Sequence, residues 1–341
     1  MSKNCVSVII VALLFFNLIT TNGFSQDGTQ SIRLMFYNVE NLFDIYDDTL
    51  TDDNEFLPGG IRKWNFTRYN KKLNSLYKTI IAAGEWNPPA VVALCEVENK
   101  KVLEDLIYGT YLSKFNYRII HEESPDHRGI DVCMIYERDC VDIIEYKYWI
   151  PAEIKNEDFT SRSILYVKFR IGADTLQLIV NHWPSRRGGA LAAEYLRRKV
   201  AEMVKIKIDS IIASTKTRER IILMGDFNCS PDDQVMRILV RNESSYSLVN
   251  LSENLADNGL GTYRYQGIWE MIDQVIVSGD LLKLKKGLYT NVNLFTVFKP
   301  DFLLSKDPKY PGFTPFSTYR GYKYQGGYSD HLPVLLDLKV R

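Results

Sequence analysis

Polar side chains end several apolar runs of this sequence, and they are of types that bind metal ions or move protons. Glu96 follows VVALC, His182 closes LIVNH, and Asp226 and Asn228 follow IILM. A carboxylate at the end of a buried strand is costly unless it is paired or metal-bound. Capping and turn formation explain any one of these residues alone, because Asp and Asn commonly follow strands. Their recurrence indicates a shared polar site.

The spacing of Asp226 and Asn228 places both side chains on one face of a strand, because strand side chains alternate with a period of two. Phe227 then points to the opposite face. One edge of the predicted sheet is therefore polar. The sequence contains no G-x-S-x-G motif, which argues against a serine hydrolase.

From residue 31 onward, short β-rich runs alternate with helical stretches, which is typical of one α/β or α+β domain. Several strand candidates are apolar on both faces, as expected when helices cover a sheet outside and a second sheet covers it inside. Helices are predicted at residues 67–84 and 190–214, with a short helical piece at 234–240. The strand candidates are IRLMFYNV, AVVALCEV, IDVCMIY, ILYVKFRI, LQLIVNHW, IILMGDFN, MIDQVIVS and PVLLDLKV.

Residues 310–330 are rich in aromatic residues and glycine, and a long loop is predicted there. Its aromatic side chains could stack on nucleic-acid bases, or they could cover the edge of the core. The second interpretation is favoured.

The composition of the 341 residues is ordinary for a globular protein, with 45% hydrophobic and 25% charged residues. Lys and Arg together number 42, as do Asp and Glu, so the chain has no general positive charge. This balance argues against a high-affinity DNA-binding module, but it is compatible with an enzyme that contacts phosphate briefly. No repeat or low-complexity linker divides the chain.

The N-terminus has the pattern of a secretory signal peptide: Lys3, an apolar stretch at residues 6–19, and small polar residues to position 25. We therefore predict a signal peptide at residues 1–25 and an exported domain at residues 29–341, located in the periplasm or outside the cell. The apolar stretch is shorter than the roughly 20 residues of a membrane span, so an N-terminal membrane tether is the alternative.

Four cysteines, Cys95, Cys133, Cys140 and Cys229, follow the predicted signal segment. Their even number permits disulfides in an exported chain, but a domain of this size has an adequate core without them. Free cysteines are therefore expected. The absence of C-x-x-C and H-E-x-x-H leaves little support for a dedicated zinc site.

Seven motifs, in this order, resemble those of the endonuclease/exonuclease/phosphatase family, the deoxyribonuclease-I-like superfamily. They are YNVENLFD, LCEVEN, RGIDVCMIY, VNHWPSR, GDFNCSP, IDQVIVS and YSDHLPV. The span from the first to the last covers nearly all of the chain after the signal segment. The resemblance implies an α+β fold, a four-layer α/β sandwich with two packed mixed β-sheets flanked by helices. It also implies divalent-metal-dependent cleavage of phosphate esters.

The resemblance also implies a ligand set for a metal ion and for the substrate phosphate. Glu96 matches the family's metal-binding glutamate, and Asp330 lies near the metal. Such oxygen ligands suit Mg²⁺ or Mn²⁺. Asn38 matches the asparagine that helps to arrange Glu96. The residues predicted to hold the substrate phosphate are Asn38, Arg128, Arg162 and Arg186. For Arg186, a solvated turn is an equal alternative.

Five residues match the family's catalytic positions. Asp226 would orient or activate the attacking water, and Asn228 would contact the phosphate. His331 would bind phosphate or act as an acid or base, and Asp273 would hydrogen-bond to it. His182 falls where nuclease members carry a second histidine and could assist the leaving oxygen. Asp131 is a possible partner of His182.

These features predict an exported divalent-metal-dependent phosphoesterase that hydrolyses phosphodiester bonds, with an endonuclease-like nuclease as the leading hypothesis. The alternative is a phosphodiesterase or phosphatase acting on phospholipid head groups or on inositol or sugar phosphates. A non-catalytic binding module is less favoured, because a scaffold has no need for so many convergent polar groups. The expected partner is a phosphate-ester substrate, with nucleic acid favoured, and the expected state is a monomer.

Overall fold

Two seven-stranded sheets form the centre of the computed structural model, which describes residues 30–85, 87–151, 161–186, 189–215, 219–242, 246–283 and 287–340. The predicted signal peptide at 1–25 lies outside these residues. The strands, in chain order, are β1 (Gln30–Leu42), β2 (Val91–Val97), β3 (Tyr117–Ile120), β4 (Asp131–Glu137), β5 (Asp142–Trp149), β6 (Ile164–Ile171), β7 (Asp174–His182), β8 (Ile221–Asp226), β9 (Arg241–Asn242), β10 (Ser247–Asn250), β11 (Tyr263–Tyr265), β12 (Ile268–Glu270), β13 (Asp273–Ser278), β14 (Leu288–Tyr289), β15 (Phe295–Val297), β16 (Leu304–Lys306), β17 (Phe313–Pro315), β18 (Tyr319–Arg320), β19 (Lys323–Tyr324) and β20 (Val334–Val340).

The α-helices are α1 (Phe66–Gly84), α2 (Lys100–Tyr108), α3 (Ala190–Ser214), α4 (Ser252–Asp257) and α5 (Gly279–Lys283), and the short 3-10 helices are Asn54–Phe56, Tyr111–Lys114, Met236–Ile238, Val292–Leu294 and Asp301–Leu303. The three longest α-helices of the described residues, α1 to α3, pack against the outer faces of the sheets. Among the described residues, none of the helices combines the length and apolarity that a membrane span requires.

Both sheets are mixed. The first has the order β14-β20-β1-β2-β4-β3, with β15 also paired to β20, and the second has the order β5-β6-β7-β8-β13-β10-β9. The pairs β1–β2 and β7–β8 are parallel. Since parallel strands end at a common edge, both pairs bring successive motifs of the sequence together.

Three apolar layers show how the sheets stack. One cluster fills the space between the sheets, a second lies between the first sheet and helices α1 and α2, and a third lies between the second sheet and α3. The predicted four-layer sandwich of two packed mixed sheets flanked by helices is therefore confirmed. The doubly covered sheets also explain why their strands are apolar on both faces.

The eight predicted strands all occur, as do the two long helices. Helix α1 begins after Asn65, whose side chain accepts the Arg68 N–H, and its buried face includes Leu73, Leu76 and Ile80. Among the described residues, Cys95, Cys133, Cys140 and Cys229 are free. The short helical piece predicted at residues 234–240 is a 3-10 helix at Met236–Ile238, and the loop predicted at residues 310–330 also contains the short strands β17, β18 and β19.

Candidate active site

The second sheet places three of the predicted site residues side by side. His182 lies in register with Asp226 in the parallel pair β7–β8, and Asp226 lies in register with Asp273 in the antiparallel pair β8–β13. All three side chains are buried. Strand pairing therefore sets their order across the sheet, which the sequence shows only as separate motifs.

Glu96 reaches the same edge from the first sheet because a β-bulge interrupts β2. The register of β2 against β4 shifts between Cys95 and Val97, and Glu96 has a φ of 61°. Cys95 packs between the sheets, whereas Val97 packs toward the helices. Bulges re-aim side chains in this way and are common beside active sites. Because such a backbone conformation costs roughly 1–2 kcal/mol for a residue other than glycine, the surrounding contacts must hold it.

Asn38 connects the two sheets. Its Nδ2 donates to Asp226 Oδ2 at 3.1 Å and lies 3.4 Å from Glu96 Oε1, and its Oδ1 accepts the Glu40 N–H. Asn38 is 1% exposed and does not line the cavity described below. Asn38 is thus placed to arrange Glu96 and Asp226 from behind the cavity, and its contact with the substrate phosphate stays a prediction.

His331 is held by the partner that the sequence predicted. Its Nδ1 lies 2.7 Å from Asp273 Oδ2, and its Nε2 lies 3.9 Å from Asp226 Oδ2. Burial alone lowers the pKa of His331, but Asp273, Asp330 and Asp226 outweigh it, so the pKa is raised well above 6.5. His331 is therefore a charged imidazolium at neutral pH.

His182 has the opposite environment. Its Nε2 lies 3.1 Å from a guanidinium nitrogen of Arg162, and because guanidinium cannot accept a hydrogen bond, Nε2 must be the acceptor. Burial and then the charges of Arg162 and Arg128 lower the pKa of His182 well below 6.5. His182 is thus neutral. Asp131 is not its partner, because the Asp131 carboxylate contacts His121 Nε2 at 2.9 Å.

Asp226 is the central carboxylate of the site. Its Oδ1 accepts the Asn228 N–H at 2.9 Å. Burial, with a further contribution from Asp273, raises the pKa of Asp226 to about 7, although His331 acts in the opposite direction. A carboxylate with such a pKa can accept a proton from water near neutral pH. Asn228 itself has a φ of 53°, and its Nδ2 donates to the Trp183 carbonyl.

The predicted arginines lie beside the site, but they are not free charges. Asp126 is shared by Arg128 Nε at 3.3 Å and Arg162 Nε at 3.4 Å. Arg186 forms an ion pair of 3.2 Å with Glu270 and has a half-exposed side chain. The two arginines that share Asp126 therefore retain one positive charge between them.

A cavity of about 570 Å³ opens over these residues. Nine of the predicted site residues line it: Glu96, Arg128, Arg162, His182, Arg186, Asp226, Asn228, Asp330 and His331. Asn38 and Asp273 lie behind it and contact lining residues. The structure thus brings the predicted set together, with these two residues in a supporting layer.

Glu96 and Asp330 fit a divalent cation by the chemistry of their donors. Both face the cavity, and neither carboxylate forms an ion pair with Lys or Arg among the described residues. Burial raises the pKa of Asp330; His331 opposes this shift and Glu96 adds to it. A hard cation would offset the repulsion between these oxygens. Asp226, Asp273 and His331, whose potential ligand atoms lie within 4.8 Å of one another, form a second possible donor group.

Sequence reasoning missed several residues that complete the site. Asp126 was missed because its role depends on the fold bringing it to Arg162. Tyr263 forms an isolated β-bridge with His331, and their rings lie 5.0 Å apart. Ser329 donates its hydroxyl to the Asn38 carbonyl and accepts the His331 N–H. Only Ser329 had a signal in the sequence, its position in the YSDH motif.

The sequence and the fold match a known protein family. The family model for the endonuclease/exonuclease/phosphatase family matches residues 33–340, and the chain belongs to this family. Its members hydrolyse phosphate esters, which supports phosphoesterase activity in this chain. None of the curated proteins matches the chain significantly.

Several solved structures share the fold at low sequence identity. An endonuclease/exonuclease/phosphatase family protein from Bacteroides thetaiotaomicron is 15% identical, with a TM-score of 0.57, and covers 92% of this chain and 96% of its own. Danio rerio TDP2 complexed with a single-strand DNA product is 12% identical (TM-score 0.55; 90% and 98% covered). A Bacteroides thetaiotaomicron mannosyl-6-phosphatase is 14% identical (TM-score 0.56; 90% and 99% covered). At such identities the similarity establishes the fold.

Proposed function

We propose that this protein is a divalent-metal-dependent phosphoesterase in which a water molecule attacks phosphorus directly. The observation that carries the proposal is the convergence of Asp226, His331, Glu96 and Arg162 on one cavity. These groups suffice for hydrolysis, which requires an oriented water, neutralised phosphoryl oxygens and help for the leaving oxygen.

Asp226 is the proposed base. Asn38 and the Asn228 N–H hold its two carboxylate oxygens, which fixes the carboxylate at the cavity wall. A water beside it can pass a proton to Asp226 as it attacks. The pKa near 7 balances the two requirements of a general base, namely ionisation at working pH and sufficient basicity.

His331 and Arg162 are proposed to bind the phosphoryl oxygens. The charged His331 offers its Nε2–H toward Asp226, and Asp273 fixes the ring from the other nitrogen. Arg162 is 4% exposed, so its charge is poorly screened by solvent. Arg128 adds a second positive charge, because it and Arg162 share the single carboxylate of Asp126.

Glu96 with Asp330 would hold the cation, which we propose to be Mg²⁺ or Mn²⁺. When bound, it would supply further neutralisation of charge on the phosphoryl and leaving oxygens. His182 does not supply a proton to the leaving oxygen in this arrangement, because its Nε2 accepts from Arg162. We assign His182 the role of orienting Arg162.

The substrate suggested first by the sequence is nucleic acid, and Danio rerio TDP2 with its single-strand DNA product supports that class. The mannosyl-6-phosphatase of the same fold supports small phosphate esters equally well. Export is a separate proposal, supported by the signal-peptide pattern at residues 1–25.

The activity is tested with the purified protein on aryl phosphates, oligonucleotides, sugar phosphates and phosphoinositides, with Mg²⁺, with Mn²⁺ and with chelator. Asp226→Asn keeps the shape of the side chain but removes its basicity, and we expect kcat/KM to fall about 10²–10⁴-fold. Equal activity of this variant and the parent would contradict the proposed base. Full activity in chelator would contradict the metal.

A further inference from the structure

The walls of the cavity are more acidic than a polyanionic substrate would favour. Six carboxylate residues line it, against four arginines and the charged His331. The carboxylates are Asp52, Glu55, Glu96, Asp226, Glu270 and Asp330. A bound divalent cation would bring this lining close to neutrality. Such a lining accommodates one phosphate group, but it offers no surplus charge for the neighbouring phosphates of a nucleic acid.

Two of the arginines that line the cavity are already neutralised by ion pairs. Arg62 Nε lies 2.9 Å from Glu55 Oε2, and Arg186 lies 3.2 Å from Glu270. Among the described lining residues, the surplus positive charge lies on the pair Arg128 and Arg162 and on His331. The charges therefore mark a single phosphate position beside Asp226.

The segment that supplies Asp52 and Glu55 extends this pattern. Residues 44–55 contain six acidic residues and no Lys or Arg. Asp44 and Asp53 are buried, and the other four, Asp47, Asp48, Asp52 and Glu55, are at least partly exposed. A nucleic-acid strand leaving the cavity on this side would pass these carboxylates, and the repulsion would weaken its binding.

Aromatic rings accompany the carboxylates. Phe43 and Phe56 line one wall, with their rings stacked at 4.3 Å, and Tyr263 and Tyr265 line another. Tyr265 is 52% exposed. Carboxylate oxygens accept hydrogen bonds from hydroxyl groups, guanidinium groups donate to them, and aromatic faces pack against ring C–H groups.

We propose that the cavity takes the phosphate ester of an uncharged polyhydroxylated ring, a sugar or a cyclitol, in preference to a nucleic acid. This inference rests on the proposed phosphoesterase function. The phosphate lies beside Asp226 and Arg162, and the hydroxylated ring lies among Glu55, Glu270 and the aromatic walls. In the reaction the water oxygen bonds to phosphorus, the bond from phosphorus to the alcohol oxygen breaks, and the water proton passes to Asp226. Asp226 returns this proton through solvent water to the alcohol oxygen, so the alcohol leaves as the neutral product and the phosphate keeps the other hydrogen of the attacking water.

The first test compares substrates with the full chain in Mg²⁺. We expect kcat/KM for a hexose phosphate, for glycerophosphoinositol or for phosphatidylinositol vesicles to exceed that for a single-stranded oligonucleotide by at least about 100-fold, which corresponds to two lost charge-assisted hydrogen bonds. Preference for the vesicles identifies a lipid source of the ring, and preference for the soluble esters identifies a free one. Preference for the oligonucleotide overturns the inference.

The second test removes the two rim carboxylates. The double variant Glu55→Gln, Glu270→Gln is expected to raise KM for the preferred ester about 10-fold, to change kcat less than about threefold, and to lower KM for the oligonucleotide. The control is Glu202→Gln on α3, because the Glu202 and Glu55 side chains are similarly exposed at 46% and 45% and each is ion-paired. Thermal melting verifies that both variants are folded.

Unchanged KM values in the double variant overturn the inference but leave the phosphoesterase function intact. The two failures are distinguished by a bis-aryl phosphate, which has no hydroxylated ring. If neither this generic ester nor any other substrate is hydrolysed in Mg²⁺ or Mn²⁺, the proposed function itself fails.

Discussion

The two histidines of the site lie on opposite flanks of Asp226 and differ in almost every physical respect. His331 contacts a carboxylate at 2.7 Å, whereas His182 contacts a guanidinium at 3.1 Å. Asp273 and neighbouring carboxylates keep His331 charged, while burial and Arg162 keep His182 neutral. Both side chains come within 4 Å of Asp226 Oδ2.

This difference teaches that residue type does not assign a role in such a site. The sequence allowed either histidine to act as an acid, since both follow recognisable motifs. The partner of His331 is a carboxylate on Nδ1, and the partner of His182 is a guanidinium on Nε2. These partners decide the protonation state of each ring. His331 is therefore suited to bind anionic oxygens, and His182 to orient Arg162.

The largest expected effect comes from removing the charged histidine. His331→Gln keeps hydrogen-bonding capacity but loses the positive charge, and we expect kcat/KM to fall about 10²–10⁴-fold in Mg²⁺. Asp273→Asn added to this variant should cause little further loss, because Asp273 acts through His331. Steady-state kinetics of the single and double variants measure both effects. Fully additive losses would show that Asp273 and His331 act independently, contrary to this prediction.

A smaller effect is expected from replacing the neutral histidine. The amide oxygen of Gln can still accept from Arg162, so His182→Gln should reduce kcat/KM by no more than about tenfold. His182→Leu leaves Arg162 without this acceptor and should cost about 10–100-fold, mostly through KM. A loss in His182→Gln as large as that in His331→Gln would show that His182 transfers a proton, contrary to the comparison.

The smallest effect is on the pH dependence of unfolding in chelator. The pKa of His182 is lowered in the folded state, so its contribution to stability is present above about pH 6.5 and is lost as the pH falls. The pKa of His331 is raised, so its contribution to stability is present below about pH 6.5 and is lost as the pH rises through the folded-state pKa. His182→Gln should flatten the acidic side of the stability profile and His331→Gln the alkaline side, each by at most about 1.4 kcal/mol per pH unit. Urea unfolding from pH 5 to pH 9 measures both slopes, and identical profiles would contradict the assignment.

Much of the fold was predictable from apolar patterning. Strands such as β8 and β13 are apolar on both faces, which reveals sheets covered on both sides. Helix α2 was missed although Asn99 caps it and Val102, Leu103 and Leu106 recur at helical spacing, because nine residues give few repeats of the pattern. The short helical piece predicted at residues 234–240 is present as a single 3-10 turn at Met236–Ile238, whose buried Met236 packs in the third apolar cluster.

The candidate site was predictable where motifs carry its residues, and less so where the fold supplies the partner. Asp226 and His331 stand in recognisable motifs. The bulge that turns Glu96 into the cavity has no glycine to mark it, and the shared use of Asp126 depends on the approach of Arg162. The motif of Asn38 implied that it arranges Glu96, whereas its contact with Asp226 is visible only in the fold.

The hydrogen bond from Asn38 to Asp226 crosses between the sheets, and it makes catalytic competence a property of the docked sandwich. Neither sheet alone holds a complete set, since Glu96 belongs to the first and His182, Asp226 and Asp273 belong to the second. During refolding, enzymatic turnover should consequently return only with the final packing step, later than the secondary structure. The rate at which activity recovers would then report the rate at which the two sheets associate in this domain.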